Sequence, residues 1–268
     1  MGNDSYLHGY SVRESQRLAD QAGTLTELLH HDTRYPANSS VLEVGCGVGA
    51  QTIILAKNNP EANFLSVDIS ENSVRQLEKL IREKNIANVQ VQKADVFDLL
   101  FSKDSFDHIF VCFLLEHIEK PLEALMNLKK VLRPKGTITT IEGDHGSAYF
   151  YPDSGEAKLA IQCLIDLQAK AGGNSLIGRQ LYPLLKEAGF RNVTVSPRVV
   201  YVDSSKPGLV EGFIKNTFTA MVEGVKEQAL AAAMIDEQTW NKGIKDLYRT
   251  AENDGTFNYT FFKAIGVK

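Results

Sequence analysis

LEVGCGVGAQT, residues 42 to 52, packs three glycines into five positions directly after a short apolar run. Val41 to Val44 reads as a strand, and AQTIILAKNN (50–59) as a helix that ends before Pro60. Gly45, Gly47 and Gly49 therefore fall in a tight strand-to-helix turn. Glycine lets backbone approach a ligand closely, and a helix N-terminus offers unpaired N–H groups to a polar one.

The same alternation continues outward from this unit. NFLSVDIS (63–70) reads as a second strand, with Ser70 as N-cap of a helix that places Val74, Leu77 and Ile81 on one face. VQVQKAD (89–95) and HIFVCFL (108–114) read as strands three and four. A helix from Pro121 through Leu132, a turn RPKG (133–136) and a fifth strand TITTIEG (137–143) follow. Five strand–helix repeats predict an α/β fold, a parallel sheet with helices on both faces.

Upstream, Leu18, Ala22, Leu25 and Leu29 form an apolar stripe over Glu14 to about His31, an amphipathic helix. Downstream of Gly146 the pattern loosens. We expect a helix over about 155–171 and another spanning SLIGRQLYPLLKEAGF (175–190), closed by Gly189. A strand NVTVSPRVVYVD (192–203) comes next, then a long helical stretch over 207–235, a helix over 236–251 and a last strand TFNYTFFKAIGV (256–267). There is no internal repeat.

The 268 residues suit one large α/β domain. A hydrophobic content of 43% supports a sizeable core. No apolar run approaches the roughly 20 residues that cross a bilayer, and MGNDSYLHGYS has no apolar signal region. The expectation is a cytoplasmic protein without membrane insertion. Cys46, Cys112 and Cys163 stand far apart with no Cys-x-x-Cys, so neither a disulfide framework nor a metal site is expected. A net charge of -4 argues against a nucleic-acid footprint.

Two cofactors fit the glycines. Gly45-x-Gly47-x-x-Ala50 is close to a nicotinamide dinucleotide fingerprint, whereas Glu43-x-Gly45-x-Gly47-x-Gly49 suits a sulfonium cofactor. An acid at Glu43 opposes pyrophosphate and favours a cation. Asp68, at the end of strand two, serves ribose hydroxyls in either case. Asp95, at the end of strand three, is placed for an exocyclic adenine amine.

VLEVGCGVG (41–49), VDIS (67–70), KADVFDL (93–99), SFDHIFVCFLLEHI (105–118) and LKKVLRPKGTI (128–138) follow one another in the chain. In that order they resemble the successive motifs of class I S-adenosylmethionine-dependent methyltransferases of the ubiquinone/menaquinone methyltransferase type. The likeness is close over residues 41–142 and loose elsewhere. It implies a Rossmann-like, seven-stranded, mostly parallel sheet with an antiparallel last strand and a helical insertion (205–254) before it. One methyltransferase domain would cover 1–268: a helical cap at 1–40, a cofactor-binding core at 41–146 and a substrate-side half at 147–268.

Carried over by position, the resemblance puts Glu43, Gly45, Cys46, Gly47 and Gly49 around the methionine moiety. Asp68 would hold the ribose, Ile69 and Val96 would lie against the adenine, Asp95 would take its amine, and Phe113 would line the cavity. Tyr6, Tyr10 or Arg13 would contact the methionine carboxylate if the N-terminal segment folds over the cofactor; surface ordering of a terminus is the alternative. Asp107 suits a brace for strand four better than a ligand contact. Cys46 reads as a small residue tolerated between glycines.

The expected activity is methyl transfer to a small-molecule acceptor. A protein or RNA methyltransferase and a non-catalytic S-adenosylmethionine-binding module are the alternatives. Because the donor methyl is already activated, positioning supplies most of the rate, and a base is needed only for an acceptor that carries a proton. His117, just past strand four, and Asp144 and His145, just past strand five, are the candidates. Phe213, Phe218, Met221, Tyr149, Phe150 and Tyr151 suit an apolar acceptor pocket under a lid, ordinary core, or a homodimer surface.

Overall fold

The computed structural model describes residues 25–268. Residues 25–30 are helical, the part of the predicted N-terminal helix that is described; Tyr6, Tyr10 and Arg13 lie outside it.

The repeats form as the periodicity predicts. β1 (Ser40–Val44), α1 (Ala50–Asn58), β2 (Asn63–Asp68), α2 (Glu71–Glu83), β3 (Val89–Lys93) and β4 (Phe106–Cys112) come first. A 3₁₀ turn (Leu115–His117), α3 (Pro121–Val131) and β5 (Leu132–Tyr151) follow. Ser70 caps α2, its side chain accepting from the N–H of Ser73.

Seven strands make one sheet in the order β3-β2-β1-β4-β5-β7-β6, with β6 (Arg191–Val202) and β7 (Thr256–Val267) completing it. It is mostly parallel, with antiparallel last strands. β1 lies between β2 and β4, and Val44 faces both Val67 and Val111, so three C-terminal strand ends are level. The chain order reverses between β1 and β4, and ligands of open α/β sheets bind outside the C-terminal strand ends at such a point. Asp107 is the brace expected of it: it accepts from the Ser40 N–H at 2.9 Å and pairs with Arg133 at 2.6 Å.

The described residues fall into two compact units. One comprises 29–143, 177–197 and 262–268; the other comprises 25–28, 144–176 and 198–261. In the first, Leu42, Val44, Ile109, Val111, Leu125, Leu128 and Ile138 form the core under the glycine turn. In the second, Phe213, Phe218, Phe257, Tyr259 and Phe261 form a cluster of ring contacts, Phe218 and Phe257 having centroids 4.9 Å apart. Of the residues suggested for an acceptor pocket, Phe213 and Phe218 are thus core, while Tyr149 and Tyr151 are exposed.

Four sequence expectations need correction. RPKG falls inside the span of β5 rather than before it, and keeps its turn character there, with Lys135 left-handed at φ 67°; Leu132 already pairs with Phe106, and a register shift between Phe106 and His108 absorbs the turn residues as a bulge. β5 also runs past Gly143, so Asp144 and His145 lie within a strand rather than beyond one; the Thr260 N–H of β7 donates to the Ser147 side chain there at 2.9 Å. The segment 175–190 is a 3₁₀ turn (Ile177–Gln180) followed by a short α-helix (Leu181–Glu187), ended as expected at Gly189.

The stretch 207–235 is broken into Pro207–Leu209, a π-helix Val210–Thr219, Ala220–Glu223 and Lys226–Ala231. A π-helix brings residues five apart onto one face. Phe213 and Phe218, both buried, have that spacing, and Thr217 Oγ1 bonds the carbonyl five residues back, on Gly212, at 2.6 Å.

Candidate functional site

The glycine turn hangs from the end of β2. The N–H groups of Gly45 and Cys46 both donate to the Val67 carbonyl, at 2.8 and 3.1 Å, and Gly49 N–H closes the turn onto Cys46 O at 2.9 Å. Gly49 opens α1 at φ 92°, a left-handed conformation that glycine adopts without cost, and a Cβ there would lie 2.3 Å from Leu77 Cδ1. No side chain caps α1, so the groups at its start depend on backbone alone.

Asp68 ties the next strand end to this turn. Its Oδ2 accepts from Gly47 N–H at 2.9 Å and its Oδ1 from Ser70 N–H at 2.8 Å. Burial raises its carboxyl above the usual range, against those two bonds. Ile69 beside it is 48% exposed, a large apolar side chain held in the open at a strand end. One strand further, Asp95 accepts from Phe97 N–H at 2.9 Å, and Val96 is buried. The Ala94 N–H donates to the Asp68 carbonyl at 3.0 Å, keeping the two strand ends together.

Glu43 is the polar interruption of β1. It is 2% exposed, and its Oε2 accepts from the Ser66 and Thr52 hydroxyls at 2.6 and 2.7 Å. Burial, opposed by those hydroxyls, raises its pKa from 4.5 to about 7. Cys46 is buried and its thiol pushed far upward by burial and then by Glu43, so it stays protonated, consistent with a filler between glycines.

On the far side of the turn, Phe113 follows β4 at φ 55°, and its N–H donates to Ile141 O at 2.9 Å. Leu114 packs on Gly45, where a Cβ would lie 3.0 to 3.1 Å from three of its side-chain atoms. Behind this segment stands Glu142, fully buried, whose carboxylate accepts from the N–H groups of Leu114, Leu115 and Glu116 at 3.1, 2.8 and 3.4 Å. Burial, and then the neighbouring Glu116 carboxyl, raises the Glu142 carboxyl well above its ordinary range.

The structure thus brings Glu43, the three glycines, Cys46, Asp68, Ile69, Asp95, Val96 and Phe113 to one edge of the first unit. Glu142, Ser66 and Thr52 were not singled out from the sequence. For Glu142 the signal was present: an acid inside an apolar strand run, as at Glu43.

The candidate bases are more dispersed. His117 Nε2 lies 3.4 Å from Glu116 Oε1 in the 3₁₀ turn after β4. In the second unit His145 is buried, its Nδ1 2.8 Å from the Tyr259 hydroxyl and its ring edge-on to Phe218. Asp144 is also buried and accepts from Gly146 N–H at 3.1 Å.

A family model described as a methyltransferase domain matches residues 36–189. Among curated relatives, an uncharacterized 37.1 kDa protein encoded in a Streptomyces fradiae transposon is 32% identical over 188 residues, 69% of this chain and 53% of its own length. A demethylmenaquinone methyltransferase of Staphylococcus carnosus is 33% identical over 105 residues, 39% of this chain and 43% of its own. The chain therefore spans about half the length of the curated relatives it matches.

Among solved structures, a Haemonchus contortus phosphoethanolamine N-methyltransferase 2 bound to phosphomonomethylethanolamine and S-adenosylhomocysteine aligns with a TM-score of 0.57. It is 17% identical, over 93% of this chain and 52% of that one. The [4+2]-cyclase SpnF aligns at 0.55 with 17% identity, over 93% of this chain and 81% of that one. At such identities these two speak to the fold alone. With the matched domain covering more than half of the chain and the glycine turn near its start, the chain belongs to the methyltransferase domain family, with the class I S-adenosylmethionine-dependent fold.

Proposed function

We propose that the chain transfers a methyl group from S-adenosylmethionine to a small-molecule acceptor. The observation that carries this is the alignment of acids at successive C-terminal strand ends, Glu43, Asp68 and Asp95, around the glycine turn. The residues fit the group: a helix start without a side-chain cap, acceptors for ribose hydroxyls and an amine, and an exposed Ile69 for a ring to cover.

When bound, S-adenosylmethionine supplies an activated methyl group. Asp68 holds the ribose and Asp95 the adenine amine, while Ile69 and Val96 flank the ring and Phe113 lines the cavity. Gly45, Cys46, Gly47 and Gly49 enclose the methionine moiety, backed by Glu43. Alignment of donor and acceptor supplies most of the rate. An acceptor that carries a proton needs a base, and His145, Asp144 and His117 are the candidates to test by substitution. Tyr10 and Arg13, outside the described residues, stay candidates for the carboxylate.

The named acceptors among the similar proteins differ in chemistry, demethylmenaquinone being apolar and a phosphoethanolamine charged. The acceptor class here rests instead on the net charge of -4, which disfavours nucleic acid. No helix among the described residues is long and apolar enough to cross a membrane. We place the protein in the cytoplasm; a homodimer is the assembly to test for by light scattering. SpnF shows that this fold also hosts a cyclase, so turnover has to be measured rather than read from the fold.

The test is a thermal-shift comparison followed by an acceptor screen with labelled methyl donor. S-adenosylhomocysteine should stabilise the protein and NADH should not, and Asp68→Ala should abolish the shift. Stabilisation by NADH instead would overturn the cofactor. Cofactor binding with no acceptor turned over would favour the regulatory-module alternative.

A further inference from the structure

We propose that Glu142 is a positioning residue that sets the cofactor-binding segment Phe113–His117 in its working shape before any ligand arrives. The inference rests on the cofactor reading above and deepens it. After β4 the chain enters a left-handed residue that is not glycine, Phe113 at φ 55°, a conformation that persists only where surrounding contacts impose it. The 3₁₀ turn that follows is too short to pair its own first N–H groups. Both demands are met from β5. Ile141 O takes the Phe113 N–H, and the next residue, Glu142, takes the N–H groups of Leu114, Leu115 and Glu116.

Three converging donors select for an acid over its amide. Both oxygens of a carboxyl keep a lone pair for these N–H groups even when one of them carries a proton, whereas an amide would aim its own N–H at one of the donors. The consequence reaches the ligand edge through Leu114, whose side chain rests on the Gly45 backbone so closely that a Cβ there would lie 3.0 to 3.1 Å from it. Any drift of the segment therefore moves both Phe113 and one wall of the glycine turn. Glu142 itself is fully buried and acts through these neighbours.

The test compares wild type with Glu142→Gln and Glu142→Asp in the full chain. S-adenosylhomocysteine affinity is measured by calorimetry well below each variant's melting temperature. Glu142→Gln should weaken binding about ten- to hundredfold, the equivalent of one buried N–H group left without an acceptor. Glu142→Asp keeps the carboxyl but withdraws it by one methylene, and should bind between the two. A purely structural role would lower the melting temperature and leave the affinity of the folded variant unchanged, which would overturn the proposal.

Should the variants not fold, hydrogen exchange on the ligand-free wild type decides. The amides of residues 114–116 should be protected to the level of β4, and free exchange there would refute preorganisation. If wild type itself binds no S-adenosylhomocysteine, the cofactor reading fails, while the exchange result still stands or falls separately.

Discussion

Glu43→Gln should make the ligand-free protein more stable at alkaline pH. Burial lifts the Glu43 carboxyl from 4.5 to about 7, with the Ser66 and Thr52 hydroxyls holding it from going higher and Asp68 adding a smaller push upward. Between those two values the folded chain keeps a proton that the unfolded chain releases. Stability rises with pH only where the unfolded state binds more protons; here the folded state does, so the contribution falls as pH climbs from 4.5 through 7 and is level above it. The difference of about 2.5 units corresponds to roughly 3 kcal/mol. Glutamine has the same shape, and its oxygen can accept from both hydroxyls without a charge to desolvate.

The variant should therefore match wild type below pH 4.5 and exceed it by about 3 kcal/mol at pH 8. That equals roughly 6 to 12 °C in melting temperature for a chain of this size. Paired melting curves from pH 4 to 9 measure it as a difference, in which shifts of other groups cancel. The same variant should bind S-adenosylmethionine more weakly, since it loses the charge behind the methionine site. A variant no more stable than wild type at pH 8, with an unchanged pH slope, would show that burial does not dominate at Glu43.

Two further outcomes follow from packing. Gly49→Ala should cost about 2 kcal/mol in chemical denaturation, combining a left-handed alanine with displacement of buried Leu77; a loss under about 0.5 kcal/mol would contradict the clash. Lys263, buried in β7, donates to Asp32 and Thr33, each at 2.6 Å, just beyond the helical residues 25–30. Because Asp32 stays 41% exposed and can be rehydrated, Lys263→Met should cost only about 1 to 2 kcal/mol by the same assay, and a loss above about 4 kcal/mol would mean that the pair is effectively buried.

The first four strands and the glycine turn were legible because each rests on local patterning: apolar runs, a Ser cap, glycines at a strand end. RPKG misled because its turn chemistry is real but is spent on a bulge, and only the pairing of Leu132 with Phe106 shows it. The π-helix was hidden since Val210, Ile214 and Phe218 satisfy an α stripe, while Phe213 and Phe218 together require the wider turn. Glu142 escaped notice because its partners are three backbone N–H groups some 26 to 28 residues away, which no sequence window contains.

Glu43 and Glu142 nevertheless share a mark that any parallel sheet makes visible. Strands covered on both faces are near-continuously apolar, and burying a charge in one costs several kcal/mol unless partners are built around it. An acid inside such a strand is therefore expected to have a task. The two differ in what surrounds them. Around Glu43 the donors are hydroxyls, which rotate and donate to an amide oxygen as readily as to a carboxylate. Around Glu142 they are backbone N–H groups, fixed in direction and donors only. The same change from acid to amide should thus stabilise the chain at residue 43 and disturb it at residue 142. Opposite signs from one chemical substitution separate an acid kept for the ligand from an acid kept for the shape of the loop.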